Sequence, residues 1–210
     1  MYREMLLSKT GYIEVDLPKT DFNELLNNIN DYNFDVKANK TLAGQIVNEK
    51  YFSFDLIPKN IIDIMSNACE KHLHCFGFKT NTNQQIDWPE NSIVGVEIHP
   101  MNCWINFQKK GEFNPVHNHN GDLVFVIWIK IPYDLKEEIN CFPESNIEAT
   151  SKFQFVALDD RFCNIHNNGF IDIDKSYEGK MIIFDARLCH TVYPFFTSDE
   201  YRISVAGNIS

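Results

Sequence analysis

The sequence predicts a mainly β domain with flanking α-helices, built as an antiparallel sandwich or barrel, of which the jelly roll is one common form. Amphipathic helical patterns are clear only in the first 91 residues. From residue 92 onward, short apolar or alternating runs are separated by polar turns that contain Gly or Pro. Histidines adjoin two of these runs, and only a chain that folds back on itself brings them together. We therefore expect one domain over residues 1–210, with residues 1–91 as N-terminal helical support and residues 92–210 as the β core.

Two helices are predicted in the N-terminal part. Residues 1–17 alternate loosely and can add a strand. Thr20 or Asp21 can then cap a helix over residues 20–34, with Phe22, Leu25, Leu26 and Ile29 on one stripe. Pro58 starts a second helix that ends near Gly77, with Ile61, Ile62, Met65, Ala68, Cys69 and Phe76 as its buried stripe. The Asn- and Lys-rich segment between the helices and residues 79–91 are predicted to be loops.

Seven strands are predicted in the second part of the chain. No helix of comparable clarity interrupts them. The predicted strands are residues 93–98, 103–107, 123–131, 153–158, 170–173, 180–184 and 202–209.

Composition excludes several classes of protein. A hydrophobic fraction of 44% with 17 Phe is that of a folded globular chain, and no run is long and apolar enough to cross a membrane. The formal charge of −10 argues against a nucleic-acid partner. The N-terminus lacks the features of a signal peptide, so we expect a cytoplasmic protein. Six cysteines without a CxxC pair indicate reduced thiols.

Two closely spaced histidines and a distant third predict a mononuclear metal site. His117 and His119 would point to the same side of an extended chain and could hold one ion. His190 follows the apolar run of residues 181–184, 71 residues after His119. Imidazole suits several first-row metals, and without Cys in the cluster a closed structural zinc site lacks its usual ligands. An isolated HxH is more often a pair of structural or surface histidines, but the Pro115 and Gly121 turns and the flanking strands favour a site here.

The third ligand stays open between His119 and Asp122. A carboxylate is the more common partner of two histidines on iron. However, Asp122 lies five residues after His117, an odd offset that places the two on opposite faces of a regular strand. His119 is the preferred ligand, and Asp122 can instead orient an imidazole N–H.

Several segments carry a resemblance to a known family. They are residues 104–107, 115–119, 179–184, 188–195 and 202–208, with a weaker echo at residues 42–46. Together they resemble the 2-oxoglutarate- and Fe(II)-dependent oxygenases, in a bacterial and viral subfamily related to the prolyl 4-hydroxylase group.

This resemblance implies a double-stranded β-helix, a cupin-like barrel, that binds Fe(II) and uses 2-oxoglutarate and dioxygen as cosubstrates. Such an enzyme hydroxylates a protein residue or a small molecule and releases succinate and carbon dioxide. The wider family has HxD or HxE before its distal His, whereas this chain has HxH, as the close subfamily does. His117, His119 and His190 are then the metal ligands, and no catalytic residue beyond them is expected.

A candidate clamp for a carboxylate lies on the last predicted strand. Arg202 follows His190 by 12 residues, and the side chain of Ser204 lies on the same face. A guanidinium binds a carboxylate through paired charge-assisted hydrogen bonds. This pattern resembles the family's RxS clamp for the distal carboxylate of 2-oxoglutarate. Asn106 and Trp104 share a strand face and are weaker candidates for contacts with the cosubstrate.

Two other functions remain compatible with the sequence. One is a cupin-like three-His metalloenzyme that does not use 2-oxoglutarate, which leaves Arg202 and Ser204 without a shared role. The other is a non-catalytic β-barrel that acts as a binding module. The sequence does not identify the substrate, whether protein or small molecule, and it leaves a homodimer open. If the source is a virus, the expected location is the host cytoplasm.

Overall fold

The protein is a double-stranded β-helix of two antiparallel sheets, with helices packed on the outside of the larger sheet. The computed structural model describes residues 2–7, 10–76, 98–156 and 169–210. In chain order the elements are β1 (Tyr2–Leu7), β2 (Thr10–Asp16), α1 (Lys19–Asp31), β3 (Asn48–Tyr51), α2 (Lys59–Phe76), β4 (Pro100–Gln108), β5 (Asn114–His117), β6 (Leu123–Lys130), α3 (Leu135–Asn140), β7 (Phe153–Phe155), β8 (Phe170–Ile171), β9 (Lys180–Asp185), β10 (His190–Val192) and β11 (Arg202–Ile209).

The larger sheet has the strand order β1-β2-β9-β6-β11-β4-β3. Every pair in it is antiparallel. Ser204 on β11 lies opposite Asn106 on β4, and Asn106 lies opposite Glu49 on β3. These registers place one row of side chains across three strands, which later forms part of the pocket.

The smaller sheet has the order β5-β10-β7-β8 and carries two of the candidate ligands. His190 on β10 is the register partner of His117 on β5 and, on its other side, of Phe155 on β7. Strand β5 is an edge strand of this sheet.

Alternation of side chains along the strands divides the core into two layers. On β9, Met181 and Ile183 pack in the layer that contains α1 and α2, whereas Ile182 and Phe184 pack in the layer between the two sheets. All four side chains are fully buried. This two-sided burial explains why residues 181–184 form a continuous apolar run in the sequence.

In the N-terminal part, the strand structure predicted within residues 1–17 is present, whereas the segment between the helices, predicted as a loop, also contains a strand. β1 and β2 form a hairpin at one edge of the larger sheet, and β3 forms the other edge within the segment predicted as a loop. Helix α1 begins after Pro18, without a capping side-chain hydrogen bond, and Thr20 and Asp21 lie inside it. The fixed φ of Pro18 and its carbonyl, which accepts from Phe22 N–H, start the helix instead.

The second helix agrees more closely with the prediction. Helix α2 buries Ile61, Met65, Ala68 and Cys69, and it also buries His72, whose ring contacts the Gly11 carbonyl. Among the later strands, β11 has the predicted limits, and the short helix α3 was not predicted. Gly77, the loop at residues 79–91, most of the strand at residues 93–98 and the end of that at residues 153–158 lie outside the described residues.

Two predictions from composition can be compared with the described chain. Of the described cysteines, Cys69, Cys103, Cys141 and Cys189 form no disulfide. Within the described residues, no helix has the length and apolar character needed to cross a membrane.

Candidate metal and 2-oxoglutarate site

Three histidines converge between the sheets. His117 ends β5, His119 follows it by two residues, and His190 begins β10. One ring nitrogen from each lies within 4.8 Å of the other two, as donors to a single ion require. The structure thus brings together the three histidines that the sequence singled out.

Backbone carbonyls fix the orientation of two of the rings. His117 Nδ1 lies 2.7 Å from the Pro115 carbonyl, and His190 Nδ1 lies 3.0 Å from the Leu188 carbonyl. A carbonyl only accepts, so Nδ1 is the protonated nitrogen in both rings. Each Nε2 therefore presents a lone pair, which is the form of imidazole that binds a metal.

His119 is held in place from two sides. Its backbone N–H donates to the Ala186 carbonyl over 2.8 Å, and its ring stacks on Trp104 with the centroids 5.5 Å apart. His119 Nε2 lies 3.2 Å from His190 Nε2. Strand β5 ends at His117, so His119 lies outside the strand. Its ring is therefore positioned by the backbone contact with Ala186 and not by the alternation of side chains along β5.

The environment keeps all three imidazoles neutral. Burial and, to a lesser extent, the nearby His117 lower the pKa of His119 to about 4. Burial also lowers the pKa of His117, and it lowers that of His190 well below the ordinary value. At neutral pH the cluster therefore offers lone pairs rather than positive charges, and its donor set fits a divalent first-row metal.

Asp122 lies apart from this cluster. Its side chain is exposed, and among the described groups the set that could hold a metal comprises the three histidines without it. The chain turns at Gly121, where φ is +94°, and the backbone of Asp122 bonds to Ile209 and Ala186. The turn directs the carboxylate away from His117, in agreement with the odd offset in the sequence.

Arg202 is a buried cation whose hydrogen-bond partners are neutral. Its guanidinium is fixed by Gln108 Oε1, which accepts from Nε at 3.1 Å and from Nη2 at 2.8 Å. The other acceptors are Tyr133 Oη (2.9 Å), the Ser151 carbonyl (2.7 Å) and the Tyr193 carbonyl (2.9 Å). The side chain is 3% exposed.

No carboxylate in the described part of the chain forms an ion pair with Arg202. A buried charge without a counter-charge is costly, and a bound anion relieves that cost. The site therefore fits a ligand that brings its own carboxylate.

Ser204, Asn106 and Trp104 line the same cavity as Arg202. Asn106 Nδ2 donates to Ser204 Oγ over 3.4 Å, and Asn106 Oδ1 is buried without a partner in the described chain. Trp104 is 4% exposed, and its contact with His119 connects this strand face to the histidines. An unpartnered buried polar atom in this cavity indicates a polar ligand there.

One cavity joins the histidines to Arg202. Its lining comes from both sheets and from the loop between α1 and β3, and it comprises Leu42, Ala43, Gly44, Ile46, Glu49, Trp104, Asn106, Gln108, Asn114, His117, His119, Val126, Trp128, Phe153, His190, Val192, Arg202, Ser204 and Ala206. The cavity thus has candidate metal ligands, the three histidines, at one position and the guanidinium of Arg202 at another. This arrangement suits a small acid that chelates the metal and extends to the guanidinium.

Sequence reasoning missed several residues of this site. Glu49 is 1% exposed and lines the cavity, but it lies on a strand of four polar or aromatic residues that gave no alternating signal. Gln108 and Tyr133 hold Arg202 from positions 94 and 69 residues away in the chain. In the sequence, the weak resemblance of residues 42–46 to the oxygenase family was the one indication that this loop lies close to the site.

Comparison with known families and structures agrees with this geometry. The family described as "Putative 2OG-Fe(II) oxygenase" matches residues 102–208, slightly more than half of the chain. This range contains all three histidines, Arg202 and Ser204. No curated protein matches the chain at a significant level.

Solved structures share the fold at low sequence identity. OsALKBH1 superposes with a TM-score of 0.56 at 10% identity, covering 99% of each chain. A Pseudomonas putida prolyl-4-hydroxylase gives 0.52 at 12%, covering 95% of this chain and 92% of its own. A Trichoplax adhaerens prolyl hydroxylase in complex with a hypoxia inducible factor peptide fragment gives 0.51 at 10%, covering 94% and 82%. At these identities the likeness establishes the double-stranded β-helix fold.

Proposed function

Because this chain belongs to the 2-oxoglutarate and Fe(II) oxygenase family, and is therefore an enzyme that uses Fe(II), 2-oxoglutarate and dioxygen, we propose that it hydroxylates a protein residue of the prolyl type, or else a small molecule. The observation that carries the proposal is the shared cavity, which the three histidines and Arg202 line together.

His117, His119 and His190 would hold the iron through their inward ring nitrogens. When bound, Fe(II) supplies the site at which dioxygen and 2-oxoglutarate react to give succinate, carbon dioxide and the hydroxylated product. The part of the chain is to hold three neutral imidazoles in fixed orientations. The Pro115 and Leu188 carbonyls do this for His117 and His190, and stacking on Trp104 does it for His119.

Arg202 and Ser204 would bind the distal carboxylate of 2-oxoglutarate. Gln108, Tyr133, Ser151 and Tyr193 fix the guanidinium by accepting from all five of its N–H groups. The charge of Arg202 would attract the carboxylate, and direct hydrogen bonds to the ligand would replace some of these internal ones. Ser151 has a φ of +63°, which is strained for a residue other than Gly, and its carbonyl accepts from Arg202. The local strain is consistent with a carbonyl held in place to orient the arginine.

Apolar side chains would exclude water from the reacting centre. Val126, Trp128, Phe153 and Val192 line the cavity between the histidines and Arg202. A dry cavity strengthens the electrostatic contact between the guanidinium and a carboxylate. It also limits turnover of 2-oxoglutarate without substrate.

The preference for a protein substrate comes from the similar structures. The Trichoplax adhaerens neighbour is a prolyl hydroxylase in complex with a peptide, and the Pseudomonas putida neighbour is a prolyl-4-hydroxylase. Measuring succinate formation with peptides and with small molecules distinguishes these two classes of substrate.

A cytoplasmic location and a homodimer remain predictions. Light scattering tests whether the protein is a homodimer.

Anaerobic titration tests the proposed function directly. On addition of 2-oxoglutarate to the Fe(II)-loaded protein, we expect a metal-to-ligand charge-transfer band that saturates at one equivalent. Stoichiometric iron without this band would favour a three-His metalloenzyme that does not use 2-oxoglutarate. Absence of stoichiometric iron would favour a non-catalytic barrel.

A further inference from the structure

The cavity contains a carboxylate for which the proposed chemistry has no role. Glu49 lies on β3 with its side chain 1% exposed. Among the described residues that line the cavity, it is the one acid, and Arg202 is the one guanidinium. A charged group is rarely buried to this extent without a partner.

Glu49 lies away from the end of the cavity that would take 2-oxoglutarate. It is the cross-strand partner of Asn106, which is in turn the partner of Ser204. Adjacent strands are about 4.8 Å apart, so two strand spacings separate Glu49 from Ser204 by roughly 10 Å. The carboxylate therefore faces the part of the cavity that remains for the primary substrate.

The hydrogen-bonding capacity of Glu49 is largely unused. Within the described chain, its side chain accepts one hydrogen bond, from Asn39 Nδ2 to Oε2 over 3.3 Å. An ionised carboxylate offers about four acceptor sites. Its Oε1 approaches Gly44 so closely that a Cβ at this position would collide with it.

Two further acceptors lie next to this carboxylate. Asn114 Oδ1 is 3.1 Å from the point where a Gly44 Cβ would be, and Asn106 Oδ1 belongs to the cross-strand partner of Glu49. Both amide oxygens are buried without a donor from the described chain. Strands β3 and β4 of the larger sheet and β5 of the smaller sheet thus contribute acceptors, and the ligand that satisfies them must contribute donors.

The local charge favours a cation. Burial and, to a lesser extent, the Glu112 carboxylate raise the pKa of Glu49 to about 7, against the lowering effect of the Asn39 hydrogen bond. A positively charged ligand would offset both the burial and the repulsion. An ammonium group carries one positive charge and three donors and has no acceptor, which matches this set of groups.

We propose that Glu49 is a specificity-determining residue that binds a protonated amine of the primary substrate, with the side-chain oxygens of Asn106 and Asn114 as additional acceptors. The proposal rests on the proposed function, because it assigns the substrate part of the same cavity. It gives the chemical class of the substrate as one with a protonated amine, which a prolyl residue within a peptide does not supply, because its amide nitrogen is neutral.

The test uses n-butylammonium and 1-butanol as probes, which have the same chain length and differ in charge. The wild-type protein is loaded with one equivalent of Fe(II) and saturated with 2-oxoglutarate under anaerobic conditions. Paramagnetic relaxation of the probe protons then reports binding near the iron, with the Zn(II)-loaded protein as the diamagnetic reference. The same measurement is made on Glu49→Gln and on Glu14→Gln, which neutralises a buried carboxylate of the same sheet outside the cavity.

We expect wild type and Glu14→Gln to bind butylammonium about tenfold or more tightly than butanol, since a hydrogen bond to a charged group typically contributes at least this factor. In Glu49→Gln the preference should disappear while the 2-oxoglutarate band persists. Equal binding of both probes to wild type, or an undiminished preference in Glu49→Gln, would overturn the inference. A failure of the proposed function is distinct, because the 2-oxoglutarate band would be missing before any probe is added.

Discussion

His119 Nε2 lies 3.2 Å from His190 Nε2, although 71 residues separate them in the chain. Two imidazole nitrogens at this distance must share either a proton or a metal ion. Because His190 already donates from Nδ1 to the Leu188 carbonyl, its Nε2 presents a lone pair. The contact places His119 where it could hold an ion together with His117 and His190, which remains our prediction for the metal site.

Replacement of His119 should remove iron, whereas replacement of Asp122 should not. Loss of a residue that only supports a metal ligand typically weakens metal binding by roughly 10- to 100-fold. We expect His119→Ala, which removes a proposed ligand, to weaken Fe(II) binding by more than this. Asp122→Asn should retain one equivalent, because the Asp122 side chain is exposed outside the cluster. Iron content after gel filtration measures both. Iron loss in Asp122→Asn with retention in His119→Ala would reverse the assignment.

Replacement of Arg202 should weaken binding of 2-oxoglutarate and leave iron in place. Without Arg202 the carboxylate would be buried with no counter-charge, which implies a loss of affinity of about 100-fold or more in Arg202→Ala. The charge-transfer band measures the affinity, and metal analysis measures the iron.

Ser204→Ala provides a milder version of the same test. Arg202 holds five hydrogen bonds within the protein, so its removal also costs stability, whereas Ser204→Ala removes only a hydroxyl. A loss of about fivefold in 2-oxoglutarate affinity is expected for one hydrogen bond. Unchanged affinity in both variants would remove these two residues from the cosubstrate site.

Replacement of Gly44 by Ala should disturb Glu49 without touching the iron. The new Cβ would collide with Glu49 Oε1 and lie 3.1 Å from Asn114 Oδ1, so the carboxylate must move. We expect about tenfold weaker butylammonium binding with a normal 2-oxoglutarate band. Ala43→Gly is the control, because it changes the flexibility of the same loop without adding an atom. Equal probe binding by wild type and Gly44→Ala would show that the carboxylate position does not matter.

Glu49 should make stability depend on pH in a predictable direction. Its pKa is about 7 in the folded protein, against an ordinary value of 4.5. Between these values the folded state retains the proton and the unfolded state loses it, so a rise in pH through this range favours unfolding. Above pH 7 the whole penalty is present.

The variant Glu49→Gln does not titrate and should escape this penalty. Its free energy of unfolding relative to wild type should increase by about 3 kcal/mol between pH 4.5 and pH 8, as the pKa difference implies. Urea unfolding of the metal-free proteins at both pH values measures this change. A difference between the two proteins that is independent of pH would contradict a raised pKa for Glu49.

Much of the fold was predictable from local patterns. Residues 202–209 and the second helix have apolar stripes strong enough to fix their limits within one or two residues. Strand β3 was missed, because Asn48–Tyr51 is short and mostly polar and has no alternating pattern. It is a strand because it pairs with β4, which is distant in the sequence. The resemblance to the oxygenase family, and the fold that it implied, are confirmed.

Part of the candidate site could be predicted from the types of its residues and their spacing in the sequence. The three histidines stand out because turns and apolar strands flank both the HxH pair and the distal His. The odd offset of Asp122 from His117 argued against Asp122 as a ligand. Glu49 could not be found in this way, since a single Glu in a polar stretch is normally solvated. Only the pairing of β3 with β4 places it beside Asn106 inside the cavity.

The direct pairing of His117 with His190 also has a consequence for the assembly of the fold. Among the strands of the described ranges, β5 lies at an edge and pairs in its sheet with β10 alone. An ion shared by these two side chains would act as a cross-link that the unfolded chain cannot form. At a free ion concentration of 100 times the dissociation constant, binding would add about 2.7 kcal/mol to the free energy of unfolding. Chelation should therefore loosen this edge first, and protein produced without iron should be the more easily degraded form.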